Sequence, residues 1–246
     1  MTNYRMLVQY DGSRYNGWQK QGDTKNTIQE KLETILSRMT GSPVDIHGAG
    51  RTDAGVHAEG QVAQFRLDRE LPPEEIRSYL NEYLPEDIGI LEVAAAGPRF
   101  HSRYNAARKT YLYRIALDKS RHVFDRKYVY EYSGVLDLAA MRQAASLLAG
   151  EHDFMSFCGN PRMKKSTVRR LFEVNISRVS DEIRLEFIGE GFLQYMVRIL
   201  VGTLIEVGEG KRDPDSMPSL LAARDRKLAG PTAPPQGLTL KEVRYH

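Results

Sequence analysis

Gly48-Ala-Gly-Arg-Thr-Asp-Ala-Gly-Val-His-Ala58 is a polar, glycine-rich segment between two stretches that predict β-strands, residues 44–47 and residues 62–67. Its glycines allow backbone angles with positive φ and a close approach of other groups. A loop held between two strands can therefore present Arg51 and Asp53 as functional side chains. The alternative is an ordinary turn with a solvated Arg–Asp pair, but the concentration of special residues favours a site.

Two common glycine motifs do not fit this segment. A dinucleotide-binding fingerprint requires glycine at its first, third and sixth positions, whereas the sixth position counted from Gly48 is Asp53. A phosphate-binding loop requires Gly-Lys followed by Ser or Thr, whereas Gly55 is followed by Val56 and His57. The segment therefore indicates carboxylate chemistry at Asp53.

The composition is that of an ordinary soluble protein. The 246 residues are 41% hydrophobic and 27% charged, which is enough for one large domain or two small ones. The net charge of +3 permits an anionic partner without establishing one. Cys158 is the only cysteine, which excludes an internal disulfide and fits a reducing compartment. With neither a signal peptide nor an apolar run long enough for a bilayer, we expect a cytoplasmic protein without a membrane partner.

Residues 1–105 predict the order β-α-β-β-α-β, which is that of a ferredoxin-like half. A strand over residues 4–9 precedes a helix, and Thr27-Ile-Gln-Glu30 has the spacing of a capping box at the start of that helix. A second helix begins at Pro72-Pro73, and a strand over residues 88–93 completes the half.

Residues 106–246 repeat that order more loosely. Residues 109–116 alternate as a strand, Asp137 caps a helix, residues 192–206 predict another helix, and residues 238–245 predict a final strand. We therefore expect an α+β fold in which two ferredoxin-like halves, divided near residue 105, share a mostly antiparallel central sheet flanked by helices.

Two further segments are candidates for contact with nucleic acid. Trp18 and Tyr15 lie among Arg14, Lys20 and glycines, an arrangement that suits stacking on bases, although a single tryptophan is more often a core residue. The basic stretch at residues 162–170 predicts either a solvated loop or a surface that follows phosphates.

Several motifs of the chain together resemble those of the TruA family of tRNA pseudouridine synthases. The resemblance extends in order along almost the whole chain and departs mildly at Tyr15, where phenylalanine is more usual. Its principal segments are Tyr10-Asp-Gly12, Gly50-Arg-Thr-Asp-Ala-Gly-Val-His-Ala58, Phe100-His-Ser-Arg103, Lys109-Thr-Tyr111, Gly150-Glu-His-Asp-Phe154 and Gly191-Phe-Leu-Gln-Tyr-Met-Val-Arg198.

The resemblance implies the pseudouridine synthase fold and the isomerisation of uridine at positions 38, 39 and 40 in the anticodon arm of tRNA. That reaction breaks the bond between ribose C1′ and uracil N1, rotates the base and joins C1′ to C5. The resemblance also implies a homodimer that works without metal or organic cofactor. No zinc-binding spacing such as His-Glu-x-x-His is present.

The same resemblance assigns roles to four residues. Asp53 is the catalytic carboxylate, and Arg198 is the cation that keeps it ionised. Tyr111 is the residue that stacks on the uracil, and Arg51 is the candidate for holding the flipped nucleotide. Whether Asp53 attacks C1′ or removes a ribose proton is left open by the sequence. The alternatives are a Tyr111 packed within the sheet, a surface Arg198 and an Arg51 that merely pairs with Asp53.

Two other functions are compatible with the residues alone. A tRNA-binding or folding factor without chemistry would use Asp53 only structurally. An N-glycoside hydrolase would need a second carboxylate or a metal-bound water, and Glu59 is the only nearby carboxylate.

Overall fold

The computed structural model describes residues 1–117, 122–160 and 162–246. The chain divides into two compact units. The first contains Met1–Ala107 together with Leu240–His246, and the second contains Arg108–Thr239. The sequence predicts a second half that comprises all of residues 106–246, whereas the segment from Leu240 lies with the first unit.

The first unit has its elements in the order β-α-β-β-α-β that the sequence predicts. They are β1 (Thr2–Tyr10), α1 (Ile28–Thr40), β2 (Ile46–Gly48), β3 (His57–Leu67), α2 (Pro73–Tyr83) and β4 (Ile88–Ala96). Strand β1 pairs antiparallel with both β3 and β4, and β2 pairs antiparallel with β3. The loop between β2 and β3 therefore begins and ends on paired strands of one sheet, which fixes the positions of its two ends.

Helix α1 begins and ends where its sequence predicts. Thr27 is the N-cap, and its side chain accepts a hydrogen bond from the backbone N–H of Glu30 at 3.3 Å. The helix ends at Gly41, whose φ of 72° lies in the left-handed region. On its apolar face Ile28, Leu32 and Leu36 are completely buried in the core of the unit. Burial of each such side chain contributes about 1.5–3 kcal/mol.

The second unit is also built on a mostly antiparallel sheet. Its elements are β5 (Ala106–Ala116), β6 (Tyr130–Glu131), α3 (Leu138–Ser146), β7 (Gly150–Asp153), β8 (Val168–Val179), β9 (Glu182–Gly189), α4 (Met196–Gly208) and α5 (Met217–Ala223). The last strand, β10 (Leu238–Tyr245), begins in this unit and continues into the first. From Lys109 onward β5 pairs antiparallel with β9, β9 pairs with β8, and β8 pairs with β7, whereas the short β6 runs parallel to β5. Strand β10 lies beside β3, which is why its residues from Leu240 belong to the first unit.

The structure departs from the sequence prediction in two places in the second unit. Helix α4 begins at Met196, four residues later than expected, because Tyr195 has a φ of 59° that an α-helix cannot contain. The short strands β6 and β7 were not predicted, since two to four residues carry too little alternation to identify a strand. Asp137 does cap α3, accepting hydrogen bonds from the N–H groups of Ala139 and Ala140.

The prediction of an α+β fold with mostly antiparallel strands is thus confirmed within each unit. Among the residues that the structure describes, no helix combines the length and apolar character needed to span a membrane.

Candidate active site

The loop between β2 and β3 is held from beneath by two buried side chains. The hydroxyl of Tyr10 lies 2.7 Å from the hydroxyl of Thr52, and the amide of Gln61 donates to the carbonyl of Gly50 at 2.9 Å. These bonds hold the backbone immediately before and after Arg51. Asp53, the next residue after Thr52, is only partly buried. The loop therefore presents a carboxylate from a backbone that buried hydrogen bonds keep in place.

Tyr10 takes part in this arrangement as a neutral hydroxyl. Burial raises the pKa of Tyr10 well above its ordinary value, and hydrogen bonds to Thr52 and Gln61 only partly oppose the rise. The phenol therefore stays protonated over the whole physiological pH range. It can hold Thr52 without adding a charge beneath the loop.

The segment after β1 is joined to the same loop and to the start of β3 by hydrogen bonds that its backbone N–H groups donate. The N–H of Trp18 donates to the carbonyl of Thr52 at 3.1 Å, and the N–H of Gly12 donates to His57 Nδ1 at 3.1 Å. A Cβ atom at Gly12 would clash with the carbonyl of Val56, so glycine is required for this close approach. The two motifs that are separated in sequence thus form one structure around Asp53.

The base-stacking hypothesis for Trp18 and Tyr15 is wrong. Trp18 is 1% exposed, its ring lies directly beneath Gly48, and the centroid of its ring is 6.0 Å from that of Tyr10. Tyr15 is buried, and its hydroxyl donates to Asp87 at 2.5 Å. Because both rings are covered, neither offers a face to a nucleic-acid base, and Trp18 is the core residue that was the alternative.

Arg51 is exposed at the surface of the first unit and is oriented by a glutamine. Its Nε–H donates to Oε1 of Gln19 at 2.9 Å. This bond joins Arg51 to the segment that follows β1. It does not use the terminal NH2 groups of the guanidinium, which are the donors best placed for a ligand.

Tyr111 lies on β5 of the second unit, opposite Phe187 of β9. It is 6% exposed, and its ring meets that of Phe192 edge to face with centroids 4.9 Å apart. The ring is thus positioned by the sheet on one side and by the segment before α4 on the other. The exposed fraction of Tyr111 equals that of Tyr15, so stacking on a uracil requires one of these neighbours to move away from a face of the ring.

Arg198 lies in the first turn of α4 and is partly buried, as its apolar sequence neighbours predict. Its Nε donates to the carbonyl of Ala233 at 2.7 Å, and the N–H of Ala233 donates back to the carbonyl of Arg198 at 3.0 Å. The guanidinium carbon is 5.3 Å from the centroid of the Tyr195 ring. Burial raises the pKa of Tyr113, and the positive charge of Arg198 partly offsets that rise. The bond from Nε to Ala233 and the contact with the Tyr195 ring hold the guanidinium in one orientation.

The structure thus distributes the predicted site residues over its two units. Asp53 and Arg51 lie in one loop of the first unit, and Tyr111 and Arg198 lie on β5 and α4 of the second. The supporting residues Tyr10, Thr52, Gln61 and Gln19 were not identified from the sequence as part of the site. Tyr10 and Thr52 do lie within the motifs quoted above, but Gln61 gives no signal beyond being a polar residue in a strand.

No described part of the chain brings three or more His, Cys, Asp or Glu side chains together as a candidate metal site. The basic stretch at residues 162–170 is mostly exposed, and the guanidinium carbons of Arg170 and Arg108 lie 5.7 and 5.0 Å from the centroid of the Phe172 ring. Its two alternatives, a solvated loop and a phosphate-binding surface, are both compatible with this exposure.

The chain is similar over its full length to known proteins. A family model described as tRNA pseudouridine synthase matches residues 6–105 and 144–246. The chain is 45% identical over 245 residues to the tRNA pseudouridine synthase A of Bacillus sp. (strain KSM-64), with 100% of both chains covered. It is 44% identical over the same length and coverage to tRNA pseudouridine synthase A of Geotalea uraniireducens (strain Rf4) and to tRNA pseudouridine synthase A 1 of Clostridium tetani (strain Massachusetts / E88).

Proposed function

Because the chain belongs to the family of tRNA pseudouridine synthases, we propose that it isomerises uridine to pseudouridine in tRNA, at positions 38, 39 and 40 of the anticodon arm. The reaction breaks the C1′–N1 bond, rotates the uracil and forms the C1′–C5 bond. C5 loses its hydrogen as a proton and N1 gains one, so the formula of the nucleotide is unchanged. It rearranges electrons within one nucleotide, so the proposed chemistry requires neither a redox cofactor nor a metal.

The assignment of Asp53 to the active site rests on the buried hydrogen bonds that hold its loop. Buried hydrogen bonds fix Thr52 and Gly50, so the carboxylate is presented from a backbone with little freedom. A catalytic group that is held in place before the substrate binds needs little reorganisation during the reaction. Asp53 acts on the nucleotide either as a nucleophile at C1′ or as a base for a ribose proton, and both roles require the ionised form.

Arg198 is proposed as the cation that favours the ionised form of Asp53. Its Nε–H donates to the carbonyl of Ala233, and that bond fixes the plane of the guanidinium. A guanidinium held in this way loses less conformational freedom when it forms an ion pair.

Tyr111 and Arg51 are proposed to hold the nucleotide. A uridine within the anticodon arm must leave its stack to reach the enzyme, which costs a few kcal/mol. Stacking on Tyr111 would return about 1–3 kcal/mol, and Arg51 would bind the flipped nucleotide through its terminal NH2 groups. The same family relationship favours a homodimer in which one tRNA contacts both subunits.

The test uses purified protein and unmodified tRNA transcripts. Pseudouridine is mapped by carbodiimide treatment and primer extension, and tRNA affinity is measured by filter binding. Wild-type protein should modify positions 38, 39 and 40. The variant Asp53→Asn should bind tRNA with near-normal affinity and form no pseudouridine. Asp45→Asn is the matched control, because Asp45 is an exposed carboxylate just before β2.

Three outcomes would contradict the proposal. Wild-type protein that binds tRNA without modifying it would be a binding factor. Release of free uracil would indicate an N-glycoside hydrolase. Full turnover of Asp53→Asn would show that another group performs the chemistry.

A further inference from the structure

Gln29 of α1 is a buried side chain whose hydrogen bonds are all used. It is 8% exposed. Its Nε2 donates to Glu33 Oε1 at 2.7 Å and to the carbonyl of Ile46 at 3.0 Å. Its Oε1 accepts from Gln19 Nε2 at 2.7 Å and from the backbone N–H of Lys20 at 3.0 Å. No other orientation of this amide satisfies the same four partners.

The orientation of Gln29 determines that of Gln19. A carboxylate and a carbonyl can only accept, so the NH2 group of Gln29 must face them, and the backbone N–H of Lys20 can only donate, so the amide oxygen must face it. Gln19 must then turn its own NH2 group toward Gln29. Its oxygen is left facing the surface, where it accepts the Nε–H of Arg51 at 2.9 Å.

The result is a chain of hydrogen bonds in which every donor points the same way. Arg51 donates to Gln19, Gln19 donates to Gln29, and Gln29 donates to the buried carboxylate of Glu33. Successive bonds of one direction polarise each other and strengthen the chain. An exposed arginine is thereby connected to the core of the first unit.

The inner end of this chain also holds the strand that leads into the loop of Asp53. Glu33 Oε1 accepts the backbone N–H of Ile46 at 3.0 Å, while Gln29 donates to the carbonyl of the same residue. Glu33 is itself buried, and its Oε2 lies 3.1 Å from Lys20 Nζ. The side chain of Arg51 and the backbone of β2 are therefore fixed by the same pair of residues on α1.

We propose that Gln19 and Gln29 are positioning residues that hold the Arg51 side chain in the conformation that binds the flipped nucleotide. This inference rests on the proposed function. The bond through Nε fixes the plane of the guanidinium and leaves its terminal NH2 groups for acceptor atoms of the RNA. An arginine without this support would have to be ordered when each substrate binds.

The test is a double-mutant cycle on single-turnover pseudouridine formation. Gln19→Met keeps the size of the side chain and removes both of its hydrogen bonds. Its kcat/KM should fall about ten-fold, which is the effect of losing part of the ordering of one arginine side chain. In the background of Arg51→Ala the same change should alter kcat/KM less than about two-fold, because the residue through which it acts is gone.

Gln29→Met should behave in the same way, with an added loss of stability because it lies in the core. If that variant does not fold, the cycle with Gln19 decides, since Gln19 is only partly buried. Glu30→Gln is the matched control, because Glu30 is on the same helix and its side chain takes no part in the chain of amides. Its kcat/KM should equal that of wild type.

If the losses of kcat/KM in Gln19→Met and Arg51→Ala multiply in the double variant, the two residues act independently. That result would overturn this inference and leave the proposed function intact. Wild-type kcat/KM in Gln19→Met would overturn it equally. Wild-type protein that forms no pseudouridine would overturn both the inference and the function on which it rests.

Discussion

The hydroxyl of Tyr10 lies 2.7 Å from that of Thr52, the residue that precedes Asp53. Both side chains are buried, and Tyr10 belongs to β1, in the middle of the first unit's sheet. The position of the carboxylate thus depends on a strand that is distant in sequence from its loop.

Replacing Tyr10 by Phe should reduce turnover more than tRNA binding. The variant loses the buried hydrogen bonds of this hydroxyl to Thr52 and Gln61, which should lower the free energy of unfolding by about 1–3 kcal/mol. It also loosens the backbone before Asp53, so kcat should fall roughly ten-fold. Tyr4→Phe is the control, because the buried hydroxyl of Tyr4 on the same strand bonds only to the backbone of Leu71. Equal kcat in the two variants would contradict the role given to Tyr10.

Replacing Gly12 by Ala should destabilise the first unit. The added methyl would overlap the carbonyl oxygen of Val56, so one of the two segments must move. Overpacking of this kind costs about 1–3 kcal/mol or more. Gly22→Ala is the control, since a Cβ there meets no atom within 4 Å and should change the unfolding free energy by less than about 0.5 kcal/mol. Urea unfolding measures both, and equal midpoints would show that the two segments part easily.

Replacing Arg198 by Lys should preserve the fold and lower kcat about 10- to 1000-fold. Lysine keeps the positive charge but has no counterpart of the Nε–H that bonds to Ala233 at 2.7 Å. Arg212→Lys is a suitable comparison. Arg212 follows α4, pairs with Glu206 of that helix at 2.8 Å and has no assigned role in the reaction. Full activity of R198K would show that charge alone suffices at this position.

Replacing Glu182 by Gln should change how stability depends on pH. Hydrogen bonding to Arg114, with Nε to Oε2 at 3.0 Å, holds the pKa of Glu182 below its usual range. Because the pKa is depressed in the folded state, this pair stabilises the protein above the unfolded pKa of roughly 4.3, and the contribution disappears as pH falls through the folded value.

The variant Glu182→Gln should therefore be less stable than wild type by about 1–2 kcal/mol at pH 7, a figure reduced for the partial exposure of the pair. The difference should shrink as the pH falls through the depressed pKa of Glu182, where the wild-type carboxylate takes up a proton. Glu151→Gln, at an exposed position on β7, provides the control. Urea unfolding between pH 3 and pH 7 measures the difference, and a gap that does not change with pH would refute the linkage.

Features governed by neighbouring residues were predictable from the sequence. The capping box at Thr27 and the left-handed Gly41 define α1, and the order of strands and helices in the first unit follows from periodicity and turn residues. Helix α4 was misplaced at its start because a left-handed tyrosine is rare and has no sequence signature.

The family, the α+β elements and the loop that carries Asp53 can be recognised from neighbouring residues, because motifs, caps and alternation are local patterns. The contacts that support that loop come from tertiary folding. Tyr10 meets Thr52 across 42 positions of sequence, and Arg51 reaches Gln19 across 32. Trp18 is likewise a core residue because tertiary packing buries its ring. Such contacts depend on which strands pair and which side chains lose water, and no short stretch of residues encodes that.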